Sequence, residues 1–277
     1  LTESVRPEPS WVEVETDSGP VAVQLSGADG APPLLVLHGA LGATEMETYR
    51  LIRVWERDFR VVGMDLPGHG RSGDLDVSSP SWESYSSFAI TAFKSLGLGP
   101  ACVFGFSMGG SAALHLALRH PERVARLVVH GMNVQWDAGE VETMTGAMAS
   151  PLAGDAPRWA ERLAETHGDD WQDLVRRMIA FTEALPDHYL PDDELAHIAA
   201  PTLVSAGDAD RYFRLEHALG LWRALPDARL AVRPAVLVLA IHQPANPASA
   251  SAAPVQPYAD AAPLDAAVHD VRQPVRQ

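Results

Sequence analysis

The strongest constraint on the fold is a repeated alternation of short apolar runs with longer segments of helical periodicity. Apolar runs that lack polar alternation are typical of strands buried on both faces of a parallel sheet. Helical segments between such runs predict an α/β fold, in which a mostly parallel sheet carries helices on both faces. The runs are Leu34–Leu37, Val61–Met64, Ala101–Phe104, Val124–Val129 and Thr202–Ser205, and the helical segments are Thr44–Trp55, Trp82–Leu96 and Met108–Arg119.

Two segments near the N-terminal end follow a different pattern. Trp11–Glu15 and Val21–Leu25 alternate apolar and polar side chains on either side of the turn sequence Asp17-Ser18-Gly19-Pro20. A period of two around such a turn predicts an antiparallel hairpin. Near the other end, Arg229–Val232 is expected to add a further strand.

The alternation is interrupted by residues 134–197, which are helical by pattern and rich in tryptophan and methionine. We interpret them as a helical cap inserted into a core formed by residues 10–133 and 198–245. An insertion at the carboxyl ends of the strands lies over the usual ligand site of an α/β sheet, although ordinary helical packing is the alternative. Residues 246–277 are rich in alanine and proline, and this tail is predicted to be disordered.

Composition excludes several classes of function. The 277 residues contain 21 basic and 36 acidic side chains, a net charge of −15, which argues against nucleic-acid and anionic-membrane partners. No run reaches the ~18 apolar residues needed to span a bilayer. The single cysteine, Cys102, excludes an intrachain disulfide or a thiolate metal cluster. With no secretory pattern in Leu1–Ser10, we expect a cytoplasmic protein. No metal-ligand spacing or phosphate-binding loop is present, so no cofactor is expected.

The first chemical signal is Gly105-Phe106-Ser107-Met108-Gly109-Gly110, which lies between a predicted buried strand and a predicted helix. In a Gly-x-Ser-x-Gly sequence at such a junction, the chain reverses so sharply that the serine is strained and exposed. Glycines on both sides remove side chains that would clash there. Ser107 is therefore the candidate nucleophile, at the positive end of the following helix.

Two glycine-containing loops follow other predicted strands. His38-Gly39-Ala40-Leu41-Gly42 is able to turn backbone N–H groups toward a developing oxyanion. Asp65-Leu66-Pro67-Gly68-His69-Gly70-Arg71-Ser72 contains a histidine that is a candidate base. We interpret His69 instead as a structural residue of a rigid loop.

A fourth motif is Pro201-Thr202-Leu203-Val204-Ser205-Ala206-Gly207-Asp208-Ala209-Asp210. The four motifs resemble the α/β-hydrolase superfamily in identity and order. Residues 10–233 carry the resemblance, which is strongest to the branch of small esterases, cofactor-free haloperoxidases and C–C hydrolases. The resemblance implies that Ser107 is the nucleophile and that Met108 and Ala40 supply the oxyanion N–H groups, with Leu41 as the second choice for Ala40. It also implies that the triad acid is Asp210, with Asp208 as the second choice.

The histidine of the triad is the point at which the sequence departs from this family. After Asp210 only His217, His242 and His269 follow, and His217 lies in a predicted helix where a surface or packing role is expected. The family places its histidine at the end of a short glycine-rich loop, whereas residues 234–242 contain no glycine. Two explanations stay open. Either His242 is the base on an unusual loop, or the chain has lost the family register after about Arg233.

The resemblance implies a serine hydrolase that acts on a small-molecule acyl substrate, through a Ser107–His242–Asp210 triad and an acyl-enzyme. The methionines and tryptophans of the cap favour a small or medium-sized apolar ester or related acyl compound. The same groups also serve acyl transfer, C–C hydrolysis and peracid formation. A non-catalytic ligand-binding protein and a damaged scaffold without its base are the alternatives outside this class. The oligomeric state is left open.

Overall fold

The structure, a computed structural model, describes residues 9–16, 19–72, 81–185, 190–210 and 212–233. Within these ranges, eight strands form one sheet in the order β1-β2-β4-β3-β5-β6-β7-β8. The pairs β1–β2 and β2–β4 are antiparallel, and the other pairs are parallel. The strands are β1 (Ser10–Val14), β2 (Val21–Ser26), β3 (Pro33–Leu37), β4 (Arg60–Met64), β5 (Ala101–Phe106), β6 (Val124–His130), β7 (Thr202–Gly207) and β8 (Ala228–Arg233).

The predicted fold class is confirmed, including the N-terminal hairpin. Its register pairs Ser10 with Leu25 and Val14 with Val21, so that β1 starts and ends one residue before the predicted strand. The turn residues Asp17 and Ser18 lie outside the described residues. The alternating pattern therefore identified a pair of strands at the edge of the sheet, where one face is partly exposed.

Helices cover both faces of the sheet, and the side chains of β3 show how the core is divided. Leu34 and Val36 pack with α1 on one face, whereas Leu35 and Leu37 pack with α2 and α3 on the other. This division follows from the period of two along a strand. The helices are α1 (Tyr49–Trp55), α2 (Trp82–Ser95), α3 (Met108–Arg119), α4 (Ala138–Ala153), α5 (Pro157–His167), α6 (Trp171–Glu183), α7 (Asp192–Leu195) and α8 (Leu215–Ala224).

The helices α4 to α7 lie between β6 and β7 and are called the helical insertion below. Leu163 of α5 and Leu174 of α6 are buried, and they join the same apolar cluster as α2 and α3. α4 begins with a capping box, in which Asp137 and Glu140 each accept a hydrogen bond from the other residue's backbone N–H. The insertion thus packs into the hydrophobic core on one face of the sheet.

The segment predicted as one helix over Thr44–Trp55 has two parts. A π-helical turn, Thr44–Thr48, precedes α1. The turn is tied to two other loops, because the Thr44 N–H donates to Asp65 Oδ1 (2.7 Å) and the Glu47 carboxylate accepts from the Gly39 N–H. A widened turn of this kind is common where a helix meets a functional site.

The predicted tail, residues 246–277, and His242 lie outside the described residues. Among the helices that the structure does describe, none is both long enough and apolar enough to cross a membrane.

The carboxyl ends of β3 and β5 meet the first turn of α3 without intervening side chains. A β-carbon placed on Gly109 would overlap the carbonyl oxygens of Leu37 and His38, and one placed on Gly105 would overlap the Gly109 carbonyl. Since the opposing atoms are backbone, no rotamer change relieves either clash. Glycine at both positions allows α3 to start directly against the sheet.

We predict that Gly109→Ala lowers the free energy of unfolding by about 1–3 kcal/mol, because the added methyl group forces α3 away from β3. The matched control is Gly146→Ala in α4, where an added β-carbon has nothing within 4 Å. That change should raise stability by about 0.5–1 kcal/mol. Urea denaturation followed by circular dichroism measures both, and a Gly109→Ala variant as stable as the unmodified chain would contradict the close-contact account.

Candidate active site

Ser107 lies at the junction of β5 and α3, with backbone angles φ 50° and ψ −119°. A positive φ is unfavourable for a residue with a side chain, and it persists only where the surrounding structure enforces it. Here the Ser107 N–H donates to the His130 carbonyl (3.0 Å), while the Ser107 carbonyl accepts from the N–H groups of Gly110 (2.8 Å) and Ser111 (3.2 Å). The predicted strand–serine–helix turn is therefore present.

A small pocket opens beside Ser107. Met144, Met148 and Phe181 of the helical insertion form part of its wall, so the insertion contributes directly to the pocket. Met178, another methionine of this region, is buried in the core. The remaining lining residues come mostly from the core and its loops: Ala40, Trp82, Met108, Ser111, Met132, Asn133, Trp136, Thr182, Leu185 and Phe213.

The loop after β3 passes directly against the serine. A β-carbon on Gly39 would lie 3.2 Å from Ser107 Cβ, and Ala40 lines the pocket. Met108 is the first residue of α3, and its N–H is one of the four at a helix start that lack an intrahelical acceptor. Ala40 and Met108 therefore both lie beside Ser107 at the pocket. The second choice for Ala40, Leu41, is buried and has φ 59°.

Sequence reasoning missed the residues that hold this loop. The Gly39 N–H donates to Oε2 of the buried Glu47 at 2.7 Å, and a β-carbon on Gly42 would overlap the same carboxylate. From the helical insertion, His167 Nε2 donates to the Leu41 carbonyl at 3.0 Å. Neither contact follows from a local pattern in the sequence, since each joins two different segments of the chain.

His38, His69 and His167 form a contact group beside this loop, with ring centroids 5.1 Å and 5.9 Å apart in succession. His38 Nε2 accepts from the Leu66 N–H (2.8 Å), and His167 Nδ1 accepts from the Gly70 N–H (2.9 Å). Both contacts require an unprotonated nitrogen. Burial, followed by the neighbouring His38 and His167, holds the pKa of His69 well below its usual value, and burial also lowers the pKa of His167.

His69 is fully buried, and its Nδ1 lies 3.0 Å from the Pro67 carbonyl of its own loop. Cys102 is also buried, on β5. Burial raises the pKa of its thiol to about 11, so the thiol stays protonated at neutral pH and is a poor nucleophile.

The two candidate acids follow β7. Asp208 is exposed, whereas Asp210 is half-buried. Asp210 Oδ1 accepts from the backbone N–H groups of Tyr212 (2.9 Å) and Phe213 (3.1 Å). Because Phe213 lines the pocket, these bonds fix the Asp210 carboxylate relative to the pocket wall.

The described residues do not include a histidine hydrogen-bonded to the Ser107 hydroxyl. His217 on α8 pairs instead with Glu140 of α4 (Nε2 to Oε1, 2.6 Å), and Arg214 pairs with the same carboxylate at 2.7 Å. His217 therefore links α8 to the helical insertion. The predicted base, His242, and the third candidate, His269, lie outside the described residues. Within the described ranges, no group of three or more His, Cys, Asp or Glu residues is arranged to hold a metal ion.

Comparison with known proteins agrees with the fold. Residues 32–172 match the family model described as alpha/beta hydrolase fold. Carboxylesterase YbfK of Bacillus subtilis is 28% identical over 220 residues, covering 74% of this chain and 73% of its own length. A 2-hydroxy-6-oxononadienedioate/2-hydroxy-6-oxononatrienedioate hydrolase of Pseudomonas putida is 29% identical over 233 residues, covering 74% of this chain and 80% of its own.

Solved structures show the same architecture. The naproxen esterase of Bacillus subtilis superimposes with a TM-score of 0.67 at 23% identity, covering 86% of this chain and 88% of the esterase. A 2-hydroxy-6-oxo-6-phenylhexa-2,4-dienoate hydrolase of a Rhodococcus strain gives a TM-score of 0.71 at 20% identity, covering 82% of this chain and 92% of the hydrolase. At these identities the two structures bear on the fold alone.

Proposed function

The chain belongs to the α/β-hydrolase fold family, and from this premise we propose that it is a serine hydrolase that cleaves small or medium-sized, largely apolar carboxylic esters. The observation that carries the proposal is the strained conformation of Ser107, φ 50° at a strand–helix junction beside a pocket. An elbow of this kind presents the hydroxyl above the sheet, clear of its own backbone.

In the proposed mechanism, His242 takes the Ser107 proton as Ser107 Oγ attacks the ester carbonyl carbon. The N–H groups of Ala40 and Met108 bind the resulting oxyanion. Collapse of the tetrahedral intermediate expels the alcohol, which receives the proton from His242, and leaves an acyl group on Ser107. His242 then takes a proton from water as the water oxygen attacks the acyl carbon, and collapse of the second tetrahedral intermediate releases the acid and returns the proton to Ser107 Oγ. Asp210 orients the imidazole of His242 and stabilises its protonated form.

The pocket supports an uncharged substrate. No acidic or basic side chain is among the described residues that line it, and an unpaired charge buried there would be strongly unfavourable. One relative in the family is named as a hydrolase of dioates, compounds with two carboxylates. For this chain, the uncharged pocket wall favours an ester over a dicarboxylate substrate. A second relative, a carboxylesterase, also supports an ester.

We predict that Ser107→Ala lowers the turnover of p-nitrophenyl butanoate by about 10³-fold or more, because the nucleophile is lost. Release of p-nitrophenol, followed by absorbance, measures the rate. The matched control is Ser87→Ala on α2, an exposed serine, which should leave the rate unchanged. A Ser107→Ala variant that hydrolyses the ester at the unmodified rate would refute the nucleophile assignment. An inactive unmodified chain would instead favour a ligand-binding or base-less protein.

We predict a much larger effect on kcat for Asp210→Asn than for Asp208→Asn. Loss of the carboxylate that orients the histidine costs on the order of 10⁴-fold in kcat, whereas Asp208 is exposed and its change should cost only a few-fold. Both variants keep the size of the side chain, so the comparison isolates the charge. Equal losses in kcat would leave the triad acid unassigned, and a larger loss at Asp208 would assign that role to Asp208.

A further inference from the structure

The pocket contains a buried amide that the proposed chemistry does not use. Asn133 follows β6 by three residues and is 3% exposed. Among the described residues, neither its Nδ2 nor its Oδ1 has a hydrogen-bond partner. Leaving both the donor and the acceptor of a buried amide unpaired is unfavourable, and an unpaired group in a native site calls for an explanation.

Asn133 lies where two cavities join. It lines the pocket beside Ser107 and also a smaller adjoining cavity. The second cavity shares Trp82, Ser111, Trp136 and Leu185 with the first, so their walls are continuous. Apolar side chains dominate around the amide, and they offer it no polar partner.

A polar side chain that lines the pocket from the helical insertion already has a hydrogen-bond partner. Thr182 also lines the pocket, but its hydroxyl donates to the Met178 carbonyl at 2.8 Å. By contrast, the amide of Asn133 is unpaired among the described residues, and it belongs to a side chain that lines both cavities.

The chemistry of the amide selects a complementary group. Asn offers one acceptor oxygen and one donor NH₂, so a carboxamide, which has the same two functions, pairs with both. A carboxylate lacks the donor, and no cationic side chain is among the described residues of either cavity wall. An alkyl group satisfies neither function.

We propose that Asn133 is a specificity-determining residue, which selects esters carrying a neutral carboxamide a few bonds from the reacting carbonyl. The proposal rests on the proposed ester hydrolysis at Ser107. Ser111, which borders both cavities with Asn133, is four residues after Ser107 on α3. A ligand that contacts both Ser107 and Asn133 therefore needs a spacer between its two functional groups, and a chain of three methylene groups is the length tested.

Binding to the full-length Ser107→Ala variant tests the proposal without requiring catalysis. Two uncharged ligands are compared by isothermal titration calorimetry: methyl glutaramate and its isostere, in which an isopropyl group replaces the carboxamide. A third ligand, monomethyl glutarate, carries a carboxylate at the same position. Each is titrated into Ser107→Ala and into Ser107→Ala with Asn133→Leu, a change of similar volume.

The expected result is a loss of preference. The association constant of methyl glutaramate is divided by that of the isopropyl isostere. This ratio should fall about 10- to 100-fold with Asn133→Leu, since two hydrogen bonds are lost. Monomethyl glutarate should bind more weakly than methyl glutaramate to Ser107→Ala. The control Thr182→Val, whose hydroxyl is engaged by backbone, should change that ratio by less than about twofold.

Thermal unfolding separates a ligand-directed amide from a structural one. Asn133→Leu should unfold at an equal or higher temperature than its parent, because an unpaired polar group is replaced by an apolar one. A fall of several degrees would assign Asn133 to the fold and overturn the proposal. An unchanged affinity ratio in a stable Asn133→Leu variant would also overturn it. Failure of ester hydrolysis by the unmodified chain refutes the enzyme assignment instead, since these binding ratios do not depend on turnover.

Discussion

The close contact between the first turn of α3 and the carboxyl ends of β3 and β5 is the constraint on which the site depends. Gly105 and Gly109 have backbone atoms where any other residue would place a β-carbon. This contact leaves no room for a gradual loop, so the chain reverses within one residue, Ser107, and that residue takes a positive φ. The same contact brings the loop after β3 against Ser107 Cβ. The proposed nucleophile and one candidate oxyanion donor are therefore positioned by a single packing arrangement.

The loop after β3 is held from two sides by groups far apart in the sequence. Glu47 binds the Gly39 N–H from the core, and His167 binds the Leu41 carbonyl from the helical insertion. His167 makes both of its ring contacts as a neutral imidazole, and its burial favours that form. The insertion consequently supplies pocket walls and also supports the loop that faces the serine. The His167 side chain thus links the docking of the insertion to the position of this loop.

The sequence predicted the parts of this structure that depend on local patterns. Continuous apolar runs located the parallel strands because such strands are buried on both faces. The glycines around Ser107 located the elbow because its geometry requires them within a few residues. Long-range partners were not predictable in this way. The His167–Leu41 contact spans 126 positions, and Asn133 stands out only when the walls of both cavities are known. The base could not be read from a local pattern either, because residues 234–242 lack the glycines of the family loop.

We propose that the elbow presents Ser107 as an activated nucleophile. The most direct measurement is reaction of the full-length folded protein with a fluorophosphonate probe, followed by mass-spectrometric mapping of the modified peptide. We expect one adduct per chain, located on Ser107, and none on the heat-unfolded protein, because the proposed activation depends on the folded oxyanion donors and base. An adduct on another serine, or a folded chain that stays unmodified at Ser107, would contradict it.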